Sequence, residues 1–449
     1  MKKQFLLILI IFCEISLNFS FAQGVDVAHK SRREELSKSI DTAVIVIPAE
    51  IKKYSTHKEN KNFYYLTGLK IPNAVLILTP DLDDKDLLIT DSERLDVEVL
   101  KTYKIVKKEN VSKTIYELSN KYNVIATQFT GFEALEESKI DIDIFDYIIK
   151  LDFILSDMRM IKENQEIRNL RTAINITADA LNEVFKYTEP GFTEKALRSV
   201  IRYQFESNDT KEAFIQVASG PNSTNIHFGA TERILKENDL IVFDVGTYYN
   251  NYTSDISRTI PANGKFTSAQ SEIYKVVLEA QEKGIQLTLP GNNHTDVQEA
   301  ITKVLIDGLF NLNLITDKDS EWQRKLFIKH GWSHFIGLDV HDVIKYAAKK
   351  KDKTYKEGMV LTVEPGLYFP ENYLDKIPRS IKGLVSEEAF EKYKAKVLPV
   401  YNKYVNIGVR IEDDVLVTFD GFIVLSSRVP KKIRDIEDMM KEESFFNYK

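Results

Sequence analysis

Cysteine is almost absent: the 449 residues hold one, Cys13. It falls in an amino-terminal stretch where Lys2 and Lys3 precede an apolar run from Phe5 to Phe12, followed by Ser20-Phe21-Ala22. That pattern predicts a secretory signal over residues 1–22, cut after Ala22. The mature chain would then have no thiol, hence no disulfide, no cysteine nucleophile and no cysteine metal ligand. Bulky Phe12 makes Cys13 a poor lipid-attachment site. The apolar run is too short to remain in a bilayer as a spanning helix. The expectation is an exported protein, periplasmic or secreted, with no permanent membrane anchor. Excess positive charge is missing too. With 61 Lys and Arg against 67 Asp and Glu, the formal net charge is −6, which argues against a general nucleic-acid binder. The run Lys349-Lys350-Lys351-Asp352-Lys353 fits a solvated loop or helix end better than a phosphate-binding patch. No phosphate-cradling glycine loop opens a helix, and no serine stands in a nucleophile elbow.

What is present suits a globular protein of more than one domain, with 43% hydrophobic and 29% charged residues. Short apolar runs at Val44–Pro48, Ala74–Pro80, Leu87–Thr90, Ile105–Val106 and Val124–Thr127 read as strands. Helical periodicity at Leu95–Tyr103 and Val111–Tyr122 alternates with them. This predicts an α/β domain over 24–155. It lacks a clustered acid-base set and suits a scaffold, a substrate gate or an oligomer surface. A second unit opens near Ser156 with a long amphipathic helix carrying Ile167, Leu170, Ile174 and Leu181, ending before Pro190-Gly191. Thr193 is placed to cap the next helix.

Histidine is scarce and clustered. Of seven, three (His330, His334 and His341) fall within the segment His330–Asp342, whose glycines at 331 and 337 keep it from reading as a plain helix. A fourth, His227, follows the strand Ala213–Ser219 and the turn Gly220-Pro221-Asn222; taken alone it would be structural or exposed. Carboxylates recur at strands. Leu240–Gly246 carries Asp244, and Ile256–Ile260 is entered through Ser254-Asp255. Pairing of these two runs as a hairpin would bring Asp244 and Asp255 close. Val360–Glu364 reads as a strand whose last residue is an acid, stopped by Pro365-Gly366, and Ile407–Val417 reads as one strand with Gly408, Arg410 and Glu412 on one face. Close buried carboxylates repel unless a cation or protons compensate. Four acids and one imidazole are a poor set for structural zinc. They suit two divalent ions of the Mn, Co or Fe type with room for water. Composition and spacing leave a two-metal hydrolase and a binding protein with buried acids both open.

The motifs Asp244-Val245-Gly246, Thr253–Thr259, His330–Asp342, Thr362–Tyr368 and Gly408–Asp413, in that order, resemble those of the pita-bread metallopeptidases, family M24. Within these the chain most resembles the Xaa-Pro aminopeptidases (aminopeptidase P). The resemblance covers roughly residues 160–430, and the preceding domain is similar to the family's creatinase-like N-terminal domain. It implies a fold that is α/β and α+β, with a pita-bread catalytic domain over 156–440 and an insertion at about 371–404. By motif position Asp244 would hold one metal ion, His334 and Glu364 the other, and Asp255 and Glu412 would bridge both; the ions expected in this branch are Mn²⁺. The implied reaction is attack of a dimetal-bridging water or hydroxide on the Xaa-Pro bond. Glu364 would assist proton transfer, His227 and His341 would steady the peptide and the developing oxyanion, His330 would line the proline-side pocket, and Arg410 would orient the carboxylates. Peptides beginning Xaa-Pro are the implied substrates, and a homodimer or higher homo-oligomer is expected. An Xaa-Pro dipeptidase (prolidase) would use the same ligands, whereas a non-catalytic peptide-binding module would lack one of them.

Overall fold

The computed structural model describes residues 27–53, 56–81, 86–93, 95–128, 135, 139–343 and 354–447. The leader with Cys13 and the lysine run 349–353 lie outside the described residues. The chain separates into two compact units, Met1–Met158 and Arg159–Lys449.

The first unit is built on a mixed sheet of β1 (Val44–Pro48), β2 (Val75–Leu78), β3 (Leu87–Ile89), β4 (Lys104–Val106), β5 (Val124–Thr127) and β6 (Tyr147–Lys150), in spatial order β4-β3-β2-β1-β5-β6. β1 lies parallel to β5 and antiparallel to β2. Every residue of β1 and β2 is buried, which is why these strands read as continuous apolar runs without alternation. The aromatic stretch before Gly68, which shows no clear period, forms helix α1 (Lys61–Thr67). Asn60 caps its start, and Gly68 ends it in the left-handed region at φ 69°. Its terminal carbonyls are satisfied from the helix over 27–39: Tyr65 O accepts from His29 Nδ1 (2.9 Å) and Arg32 (3.1 Å), and Leu66 O accepts from Arg33 (2.8 Å). Helix α2 (Val97–Thr102) connects β3 to β4, and α3 (Val111–Lys121) connects β4 to β5.

The second unit opens with α4 (Asn164–Tyr187) and α5 (Glu194–Ser207), the latter capped by Thr193 as its sequence position predicts. A four-stranded sheet follows, made of β7 (Lys211–Ser219), β8 (Leu240–Tyr249), β9 (Tyr252–Thr253) and β10 (Ile256–Pro261). β8 pairs with β7 on one side and with β9 and then β10 on the other, all antiparallel. Asn250 and Asn251, both at positive φ, make the tight turn between β8 and β9. Helices α6 (Ser268–Leu287) and α7 (His294–Asn311) pack together, and α8 (Glu321–Phe327) leads into the histidine segment. Strands β11 (Val360–Val363) and β12 (Gly366–Phe369) then pair with β14 (Asp413–Val417) and β13 (Ile407–Arg410), respectively.

Here the structure departs from the single strand read over Ile407–Val417. The run breaks at Ile411-Glu412, because β13 pairs with β12 and β14 pairs with β11. Pro365, which cannot donate to a ladder, interrupts the facing strand at the same level. Glu364 is therefore not the last residue of its strand but sits in that gap. Asp255 likewise falls between β9 and β10. Three of the four acids occupy strand interruptions, where backbone departs from the ladder and side chains can converge. The 371–404 segment contains α9 (Glu387–Tyr401), capped by Ser386. It docks through buried Phe390, Tyr393, Val397 and Tyr401, with Tyr393 Oη donating to Leu314 O at 2.7 Å.

Candidate metal centre

Asp244 lies in mid-β8 and its register neighbours are Ser257 on β10 and Gln216 on β7. Both bond to it: Ser257 Oγ is 3.0 Å from Asp244 Oδ1, and Gln216 Nε2 donates to Oδ2 at 2.6 Å. Ser257 Oγ is also 2.7 Å from Glu412 Oε2 and accepts from Arg410 Nε at 2.8 Å. With one hydroxyl hydrogen, it serves one carboxylate at a time. Arg410 Nη2 donates to Asp244 Oδ2, and its Nη1 donates to Tyr368 Oη and to Ile226 O, both at 3.1 Å.

Asp255, His334 and Glu412 each offer a ligand atom within 4.8 Å of the others, and all three are buried. His334 Nε2 is 3.4 Å from Asp255 Oδ2 and 3.5 Å from Glu364 Oε1, which brings the fourth acid to the same place. The backbone of His334 is held by Thr362 in both directions: its N–H donates to Oγ1 (3.1 Å) and its carbonyl accepts from the N–H (2.8 Å). Its Nδ1 lies 3.1 Å from Phe335 O. A carbonyl only accepts, so that bond keeps the proton on Nδ1 and leaves the Nε2 lone pair facing two carboxylates. Such an arrangement calls for a cation between them.

The electrostatics agree. Burial, then Glu412 and Asp244, pushes the Asp255 carboxyl well above its usual range. Burial and Glu412 do the same to Glu364, and burial with Asp244 lifts Glu412 to about 7. Arg410 opposes all three shifts, yet one guanidinium cannot balance four carboxylates. The donor set, all oxygen and imidazole nitrogen with no sulfur, fits hard or borderline divalent metal.

The other sequence-derived residues adjoin this cluster. His341's ring centroid is 4.2 Å from that of His334. His330 Nε2 is 2.9 Å from Tyr368 Oη, and its Nδ1 is 3.9 Å from Glu364 Oε2. His227 is exposed, close enough for its charge to act on both. Burial lowers His330 and His341 to about 4, with Arg410 adding to the effect on the first and His334 to that on the second. Both rings are neutral at neutral pH. Sequence reasoning assigned no role to Gln216, Ser257 or Asp414, whose Oδ2 accepts from Asp255 N at 3.1 Å. Gln216 also accepts from Phe228 N at 2.7 Å, tying Asp244 to the loop that carries His227. Only strand register could have revealed it.

Comparison with known proteins agrees with this geometry. Residues 168–419 match the model of metallopeptidase family M24, and residues 29–122 match that of the aminopeptidase P N-terminal domain. The chain is 33% identical over 408 residues to the Xaa-Pro aminopeptidase of Haemophilus influenzae, covering 85% of this chain and 88% of that one. It is 29% identical to the Xaa-Pro aminopeptidase of Escherichia coli, over 86% of this chain and 89% of that one. Among solved structures, proline aminopeptidase P II from Yersinia pestis superposes with a TM-score of 0.77 at 29% identity, covering 92% of this chain and 99% of that one. With its central motifs intact and more than half its length matched, this chain belongs to metallopeptidase family M24.

Proposed function

We propose that this protein is an exported Xaa-Pro aminopeptidase: a metal-dependent exopeptidase that removes the first residue of peptides with proline second. The observation that carries the reading is the buried convergence of Asp255, His334 and Glu412, with Glu364 in reach of His334. The 33% identity to a curated Xaa-Pro aminopeptidase supports the specificity.

Asp244, Asp255, His334, Glu364 and Glu412 would hold two divalent ions, with Mn²⁺ the ion proposed. When bound, the ions supply Lewis-acid polarisation of the scissile carbonyl and lower the pKa of a water. Glu364 would take and return the proton. His341 and His227 donate to the carbonyl oxygen as its charge grows. His330, backed by buried Trp332 at 5.1 Å between ring centroids, would line the pocket for the proline ring. Arg410, Ser257 and Gln216 hold Asp244 in a single orientation. An Xaa-Pro amide has no N–H and a fixed φ, so enzymes that grip that N–H fail on it. A site that reads the free amine and the ring does not need it. The Lys2–Ala22 pattern supports export, and a homo-oligomer is part of the same proposal.

Product analysis with Xaa-Pro, Xaa-Pro-Yaa and Xaa-Ala-Yaa tests the reading. Release of Xaa from Xaa-Pro-Yaa, with slow or no release from Xaa-Ala-Yaa, is expected. Turnover of the dipeptide alone would make the protein a prolidase.

A further inference from the structure

Lys329 immediately precedes His330 and is a largely buried cation that faces no acid among the described residues. Its Nζ stands 4.5 Å from the ring centroid of Tyr373 and 5.8 Å from that of Tyr368. Both rings are anchored. Tyr373 Oη donates to Leu326 O at 3.1 Å, while Tyr368 Oη joins His330 Nε2 at 2.9 Å and Arg410 Nη1 at 3.1 Å. Burial lowers the ammonium pKa to about 8, and among the described residues no carboxylate acts to raise it. Other buried cations of this unit are matched: Arg258 with Asp413 at 2.7 Å, Lys162 with Asp342 at 3.2 Å and Arg233 with Asp239 at 2.6 Å. Two aromatic faces offset the desolvation of a cation only in part. The remaining cost is what a group shows when its counter-charge arrives with a ligand.

The anion can be named from the chemistry. A peptide cut at its first bond carries one free carboxylate, at its far end. Glu364 is 3.9 Å from His330, and His330 is bonded to the Tyr368 ring that Lys329 overlies. An extended chain advances about 3.3–3.6 Å per residue, and in this relay of contacts only His330 and Tyr368 stand between the acid cluster and Lys329. Resting on the Xaa-Pro reading above, we infer that Lys329, framed by Tyr368 and Tyr373, is a recognition site for the C-terminal carboxylate of short peptide substrates. Tyr373 belongs to the 371–404 segment, which thereby contributes to substrate-length preference.

The test compares Xaa-Pro-Yaa and Xaa-Pro-Yaa-Yaa as free acids and as C-terminal amides. Wild-type protein, loaded with Mn²⁺, should favour the acid at one or both lengths by about tenfold in kcat/KM, chiefly through KM, as one charge-assisted hydrogen bond gives. Lys329→Met keeps the aliphatic stem between the rings and should bring that ratio close to one, while Lys329→Arg should restore most of it. Should Lys329→Met fail to fold, Lys329→Gln carries the same expectation. A variant that slows acid and amide alike would make Lys329 structural and overturn the proposal, as would a wild type that cuts both equally well. Wild-type protein that cuts neither would remove the Xaa-Pro reading, and this site with it.

Discussion

Asp255 is the residue whose surroundings say most about the centre. It is buried, held away from its usual ionisation by neighbouring acids, and its backbone N–H is fixed by Asp414. Asp255→Asn removes one ligand oxygen and some of the repulsion. It should abolish turnover while leaving the metal-free protein as stable or slightly more so; circular-dichroism melting alongside the assay checks both, and retained activity would refute a ligand role. Arg410 makes four directional contacts, to Asp244, Ser257, Tyr368 and Ile226. Lysine has the charge without the planar fork. Arg410→Lys should therefore cost about 10–100-fold in metal affinity or activity, as losses of outer-shell partners do, readable by metal titration. The acids, His334 and Arg410 were legible as residue types in an ordered series of motifs. Gln216 and Ser257 were not assigned a role, because their part depends on lying beside Asp244 across two strand pairs, and no local pattern carries a register.

Elements show the same division. Continuous apolar runs identified β1, β2 and β8, and capping residues located the start of α5, because those signals are local. The breaks at Glu364 and Glu412 depend on two strands exchanging partners, which a run such as Ile407–Val417 does not announce. The histidine segment is fastened by a buried ionic knot: Asp342 bonds Arg159 Nη2 and, at 3.2 Å, Lys162 Nζ. A Cβ on Gly337 would meet Asp342 Oδ2 at 2.2 Å, so only glycine fits there. Asp342→Asn leaves buried Lys162 without its carboxylate and Arg159 with Asp339 at 2.7 Å; it should cost about 3 kcal/mol, seen as a lower urea midpoint for the second unit. In the first unit, His29 is buried against α1, and burial lowers its pKa from 6.5 to about 4. The folded form thus refuses a proton that the unfolded chain accepts. Its contribution, on the order of 3 kcal/mol, is complete above about pH 6.5 and is lost as pH falls towards 4. His29→Gln should flatten the pH dependence of melting between pH 7 and 4.5; an unchanged slope would contradict this.

At the scale of the whole molecule, the buried acid cluster belongs to the second unit, Arg159–Lys449. Four carboxylates around one arginine should make that unit's stability depend on bound cations. Ligands that bind only the folded form stabilise by mass action, about 2.7 kcal/mol at a hundredfold excess over Kd. Chelation should lower the melting temperature, and Mn²⁺ should restore it. The most direct measurement is a mass-spectrometric time course on Xaa-Pro-Yaa peptides with protein that has been stripped by a chelator and then titrated with Mn²⁺. Cleavage confined to the first bond, absent from stripped protein and saturating at two ions per chain, is the predicted result. Cleavage that survives metal removal, or that falls at an internal bond, would contradict the account.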